Sequence, residues 1–174
     1  MLLRHCTGKM VHALQCGVCP LRYITSVQNT QLLCTVLVSM AQMYRSIVDA
    51  IDAEADLSRV KGETKTWTLG AALSGTTDSR RPREAPSTFA LDVSPEEWKV
   101  LAKKIVKAEI AGTAGGDRNS FLDLVNSLEA RQVRWHASPP CPDFPKHCIH
   151  GPEKTPFCVL HCRQARKHVR MLQL

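Results

Sequence analysis

The chain is poor in aromatic residues and lacks long apolar runs. Its 174 residues include only 4 Phe, 3 Trp and 2 Tyr. No apolar stretch approaches the roughly 18 residues that a membrane-spanning helix needs. The apolar fraction of 44% is nevertheless enough for a hydrophobic core, which excludes an acidic disordered chain. The length leaves room for one domain, with or without tails, and excludes a large multidomain enzyme.

Catalytic signatures are also missing from the sequence. It contains no phosphate-binding loop ending in Gly-Lys-Ser/Thr, no dinucleotide-binding fingerprint, no Gly-x-Ser-x-Gly and no His-Glu-x-x-His. The histidines occur only in the end segments, and none is clearly paired with a carboxylate. A Cys–His nucleophile pair stays open, because its members meet in space rather than in sequence. We therefore predict a non-enzymatic protein without a cofactor.

The excess positive charge lies at the two ends of the chain. Residues 1–48 contain four basic residues and no acidic one, and residues 136–174 contain six basic and two acidic residues. Residues 49–135 are nearly balanced, with 13 basic and 14 acidic residues. The eight cysteines follow the same division, four near each end. Because the first apolar stretch, residues 32–41, begins too late for a secretory signal, we expect reduced thiols.

A long helix has the clearest periodic pattern. Residues 31–61 contain neither Gly nor Pro, and their apolar residues recur at spacings of three and four. The stripe consists of Leu33, Leu37, Met40, Tyr44, Ile47 and Ile51. Gly62 is a natural stop for the helix. Such a stripe packs within its own domain or forms a short coiled coil with a partner. We favour packing within the domain, because the stripe is short for a coiled coil.

The pattern of residues 93–135 predicts a helical hairpin. Ser94, Pro95 and Glu97 have the spacing of a capping box with proline at the first helical position. The apolar face of this first helix is predicted to consist of Trp98, Leu101, Ala102, Ile105 and Ala108. After the Gly-rich residues 112–117, the second helix is predicted to bury Phe121, Leu124, Val125 and Leu128. Because a hairpin alone is too small to hold a core, we expect the 31–61 helix to pack on it.

The predicted fold is mainly α, with a small core made of the long helix and the hairpin. The chain divides into a flexible basic N-terminal segment (1–30), the amphipathic helix (31–61), a flexible linker (62–92), the hairpin (93–135) and a basic tail rich in Cys, His and Pro (136–174). Residues 65–69 alternate like a strand, but no partner strand is visible. Prolines in the first part of the tail leave only residues 161–172 for a helix.

Arg131, Val133 and Trp135 form a pattern that indicates a protein partner. The run Arg131-Gln132-Val133-Arg134-Trp135 resembles the docking peptide with which regulatory subunits bind protein phosphatase 1. The resemblance implies an extended peptide whose Val133 and Trp135 enter neighbouring apolar pockets, with Arg131 near an acidic rim. Alternatively, Val133 and Trp135 are the last core residues of the hairpin. We therefore predict a non-catalytic adaptor or regulatory protein of the cytoplasm or nucleus that acts through protein contacts.

Two other functions are alternatives to an adaptor. Four ligands for zinc could come from the tail residues Cys148, His150, Cys158, His161 and Cys162. A zinc-stabilised tail with this positive charge would suit nucleic acid, although it has few aromatic side chains to stack on bases. Because two Cys-x-x-Cys pairs are absent, we predict no metal. The second alternative is an imported mitochondrial accessory protein, because the start of the chain is basic and amphipathic.

Overall fold

The computed structural model describes residues 2–69, 89–113, 120–146 and 154–174. Five α-helices and two β-strands lie within these residues: α1 (Leu2–Leu14), α2 (Tyr23–Lys61), β1 (Lys65–Leu69), β2 (Phe89–Val93), α3 (Pro95–Ala111), α4 (Phe121–Ala137) and α5 (Phe157–Arg170). The prediction of a mainly helical fold is confirmed. Most of the predicted linker, residues 70–88, lies outside the described residues. None of the helices described is both long enough and apolar enough to cross a membrane.

The chain divides into two compact units. Unit 1 comprises residues Met1–Val48 and Lys104–Leu174, and unit 2 comprises Asp49–Lys103. Helices α2 and α3 each pass through a boundary, so both contribute part of their length to each unit.

Helix α2 extends over 39 residues because neither Gly nor Pro interrupts it. It ends where Gly62 adopts a φ of +67°, a conformation that glycine tolerates without strain. The N–H groups of Gly62 and Glu63 donate to the carbonyls of Arg59 and Ser58, which is the hydrogen-bond pattern of a Schellman cap. The helix begins at Tyr23, eight residues earlier than predicted. At this end the Tyr23 N–H donates to Asp143 Oδ1 at 3.0 Å, a contact with a distant segment that local periodicity does not reveal.

The buried stripe of α2 follows the 3.6-residue period of a straight helix. Five of the six predicted residues are buried: Leu33, Leu37, Met40, Tyr44 and Ile51. After Tyr44 the stripe continues at Val48 instead of Ile47, because a straight helix drifts relative to a 3.5-residue repeat. Ile47, which was predicted to be buried, is consequently 39% exposed.

The core of unit 1 has α4 at its centre. The four predicted α4 residues are fully buried: Phe121, Leu124, Val125 and Leu128. The rings of Phe121 and Tyr44 meet edge to face with centroids 5.3 Å apart, a favourable aromatic geometry. This contact confirms that α2 packs on the second helix of the hairpin. Helices α1 and α5 also pack against α4.

Both ends of the chain contain helices that belong to unit 1: α1 lies within the predicted N-terminal segment, and α5 lies within the predicted tail. Thr7 and Met10 of α1 are buried. Helix α5 begins at Phe157, directly after Pro156, and not near residue 161. The prolines of the tail all precede α5, so they do not interrupt it. The residues that α5 buries are Cys158, Val159, Cys162, Ala165 and Val169.

Unit 2 contains the last turns of α2, both strands and the first half of α3. The strands are antiparallel, with Lys65 opposite Val93. The sequence did not reveal this pairing, because the two strands are far apart in the chain. The predicted capping box is confirmed: the Ser94 N–H donates to Glu97 Oε2 at 2.9 Å, and the Glu97 N–H donates to Ser94 Oγ at 3.3 Å.

The buried face of α3 differs from the predicted one. Ile105 is 52% exposed, and Trp98 is only half-buried. The most deeply buried α3 residues are Val106 and Ile110. Apolar residues occur on more than one side of this helix, so periodicity alone does not select the side that faces the core.

Candidate functional site

Arg131, Val133 and Trp135, the residues of the predicted docking peptide, lie within α4. Arg131 and Trp135 are one helical turn apart, and the Arg131 Cζ lies 4.4 Å from the centroid of the Trp135 ring. Val133 is 52% exposed, and Trp135 is half-buried. The structure therefore does not present these residues as an extended peptide. An extended docking mode would require the last turns of α4 to unwind.

Arg131 joins α4 to the end of α1. Its side chain is buried, and its Nη1 donates to the Leu14 carbonyl at 3.5 Å. Within the described ranges, its Nε and Nη2 have no hydrogen-bond partner. Burial lowers the pKa of Arg131, because the charged guanidinium has lost water. In this arrangement Arg131 lies at the negative end of the α1 dipole and contributes little to the surface.

An apolar groove in unit 1 is formed by α1, α2 and α3. We call it the apolar groove, and its volume is about 450 Å³. Its apolar lining comes from Leu2, Leu3, Met43, Ile47, Ile105 and Val106. Four of these side chains are exposed by the following fractions: Leu2 71%, Met43 47%, Ile47 39% and Ile105 52%. A concave, mostly apolar lining with a few polar groups is the usual setting of a binding site.

Tyr44 lines the groove next to these apolar side chains. The residue is 2% exposed, and its Oη has no hydrogen-bond partner in the part of the chain that the structure describes. Burial, together with the charge of Glu109, raises the pKa of Tyr44 to about 12, so the phenol stays protonated at neutral pH. A buried hydroxyl without a partner costs free energy.

The rim of the groove is charged. Arg4 of α1 and Glu109 of α3 form an ion pair there, with Arg4 Nη2 3.1 Å from Glu109 Oε1. The sequence of unit 1 contains 15 basic and 6 acidic residues, whereas that of unit 2 contains 8 basic and 10 acidic residues. The groove therefore lies in the strongly basic unit, and its field favours acidic partners.

Sequence reasoning did not identify the groove. It placed Ile47 and Ile105 on buried faces, and the structure exposes both. The signal available in the sequence was the excess of apolar positions in α2 and α3 over what one buried stripe needs. Helical periodicity cannot say which of these positions a third element covers, because that depends on where α1 packs.

The tail residues considered for zinc are only partly described. Cys148 and His150 lie outside the described residues, whereas Cys158, His161 and Cys162 are on α5. Within the described ranges there is no group of three or more His, Cys, Asp or Glu residues that could hold a metal ion. The cysteines described in the structure carry free thiols.

Comparisons of the chain with protein-family models, with curated proteins and with solved structures find no match.

Proposed function

We propose that the protein is a non-catalytic adaptor whose apolar groove binds an amphipathic helix of a protein partner. The observation that supports this proposal is the exposure of Met43, Ile47 and Ile105 along one concave surface made by three helices. An amphipathic helix fits such a groove with apolar residues at positions i, i+3 or i+4, and i+7. The setting that we propose is the cytoplasm or nucleus.

The chemistry of the groove specifies the partner further. A partner helix with acidic residues beside its apolar face would suit the positive charge of unit 1. The proposed ligand is thus an acidic amphipathic helix.

The apolar side chains can supply a useful part of the binding energy. Met43, Ile47 and Ile105 are each about half exposed. Full burial of such a side chain stabilises by about 1.5–3 kcal/mol, so completing the burial of three half-exposed ones contributes about 3 kcal/mol. This corresponds to roughly a hundredfold in affinity.

The test compares two glutamate substitutions on the same helix. Ile47→Glu places a charge in the groove, whereas Leu32→Glu changes a residue that is 64% exposed and does not line it. Proteins captured by the unmutated chain should be retained by Leu32→Glu and lost by Ile47→Glu, with both variants folded by circular dichroism. Equal recovery by the two variants would contradict the proposal.

Docking of a phosphatase through Arg131, Val133 and Trp135 stays a prediction within the adaptor function. The double change Val133→Ala, Trp135→Ala should abolish phosphatase binding if these residues dock. The groove is the favoured surface, because Val133 is the only one of the three that is exposed in the folded chain.

A further inference from the structure

Cys158 and His136 form a close pair in unit 1. Cys158 is the second residue of α5, and its Sγ lies 3.2 Å from the Nε2 of His136, near the end of α4. A thiol and an imidazole within hydrogen-bond distance are the parts of a cysteine nucleophile and its general base. The first N–H groups of a helix also favour a developing thiolate at this position.

The pair lines a pocket of about 230 Å³. We call it the thiol pocket, and it shares no lining residue with the apolar groove. Four aromatic residues contribute to its wall: Tyr23, Trp135, Phe144 and Phe157. The rings of Tyr23 and Phe144 meet edge to face at 5.2 Å. At about 30 Å³ per group, the liquid volume of one water molecule, the pocket holds roughly eight non-hydrogen atoms of an apolar ligand.

The charge of Arg131 acts on the same thiol. Burial raises the pKa of Cys158, whereas the backbone N–H groups of Val159 and Cys158 and the charge of Arg131 lower it. The net effect is a raised pKa, so the thiol rests protonated at neutral pH. It can therefore react by losing its proton during attack. The buried guanidinium of Arg131 has two nitrogens without hydrogen-bond partners among the described residues. Its positive charge can therefore stabilise negative charge that develops on the Sγ of Cys158.

We propose that Cys158 is a covalent acylation site, with His136 as its base, which accepts a short apolar acyl group from a thioester. The Sγ attacks the thioester carbonyl carbon while Nε2 of His136 takes the thiol proton. The new S–C bond forms, the bond between the carbonyl carbon and the carrier sulfur breaks, and the carrier leaves as a thiol after receiving that proton. The reaction involves no net oxidation, and the apolar chain occupies the thiol pocket. The acyl group of the adduct is fixed beside α2, α4 and α5.

The experiment treats the full chain with the hexanoyl thioester of N-acetylcysteamine, in the presence of a phosphine reductant. Intact-mass and peptide analysis should show one hexanoyl group per chain, located on Cys158. His136→Gln should slow the addition by about a hundredfold, the lower end of what a general base contributes. Cys158→Ala should abolish it, and circular dichroism checks that both variants are folded.

Cys16 is the matched control. A hydrogen bond from Cys19 lowers the pKa of Cys16, so a reaction governed only by available thiolate would modify that residue first. The proposal predicts that Cys16→Ser leaves the rate at Cys158 unchanged, and that the preference for Cys158 disappears in denaturant. Acylation mainly on Cys16, no acylation of the unmutated chain, or an unchanged rate in folded His136→Gln would overturn the proposal.

Discussion

The substitution Tyr44→Phe removes one oxygen atom and leaves the shape of the side chain intact. The edge-to-face contact with Phe121 is preserved, because only the hydroxyl is lost. The Oη is buried without a hydrogen-bond partner in the described part of the chain. A buried hydroxyl without a partner destabilises the folded state by about 1–3 kcal/mol. The free energy of unfolding of Tyr44→Phe should therefore stay constant or rise by up to that amount. Urea denaturation measures it, with an m-value that does not change.

Binding of the partner helix should not respond to this substitution. The Oη of Tyr44 is buried, so it presents no surface to a helix that docks in the groove. The affinity should therefore stay unchanged, as measured by calorimetric titration with the partner segment.

Two results would refute this reasoning about Tyr44. A stability loss above about 1 kcal/mol in Tyr44→Phe would mean that the hydroxyl has a good partner in the folded protein. A large loss of affinity for the partner segment would mean that the hydroxyl is accessible to the partner.

Further changes test the core, the end of α4 and the contact between α4 and α5. Phe121→Ala should lower the free energy of unfolding by about 3–5 kcal/mol. Trp98→Ala should lower it by less, because Trp98 is only half-buried, and thermal denaturation of the two variants measures the difference. Val133→Ala should change stability by less than about 0.5 kcal/mol in urea, since Val133 is exposed, whereas Trp135→Ala should destabilise more. Burial raises the pKa of Glu129, but hydrogen bonds from Arg166 and Arg163 outweigh it, and the net pKa is lowered. The ionised Glu129 therefore stabilises the folded chain fully above its ordinary pKa of 4.5, and this contribution is lost as the pH falls through the folded pKa. Glu129→Gln and the unmutated chain should consequently converge in stability in acid.

The elements that the sequence predicts well have strong local signals. Helix α2 lacks breakers and ends just before Gly62, and α4 carries four apolar residues at helical spacing. The capping box at Ser94 is a pattern of side chains within one turn, so it too can be recognised without tertiary information. These features suffice to predict a mainly helical protein.

The remaining features depend on contacts between distant segments. The pairing of β1 with β2, the packing of α1 on α4 and the burial of α5 are all long-range. The groove depends on one of them, the position of α1, because Leu2 and Leu3 of α1 line it together with residues of α2 and α3. The Cys158–His136 pair joins residues 22 positions apart that no sequence motif links. Local periodicity carries none of this information.

The central claim is that the apolar groove binds an acidic amphipathic helix, and a photo-crosslink at Ile47 tests it most directly. Benzoylphenylalanine at this position, which is 39% exposed and lines the groove, should form a covalent link to whatever occupies the groove. Mass spectrometry of the linked peptide should identify a partner segment with apolar residues at i, i+3 or i+4, and i+7 and a net negative charge. A link to a basic segment, to a segment without this pattern, or to a second copy of this chain would contradict the claim.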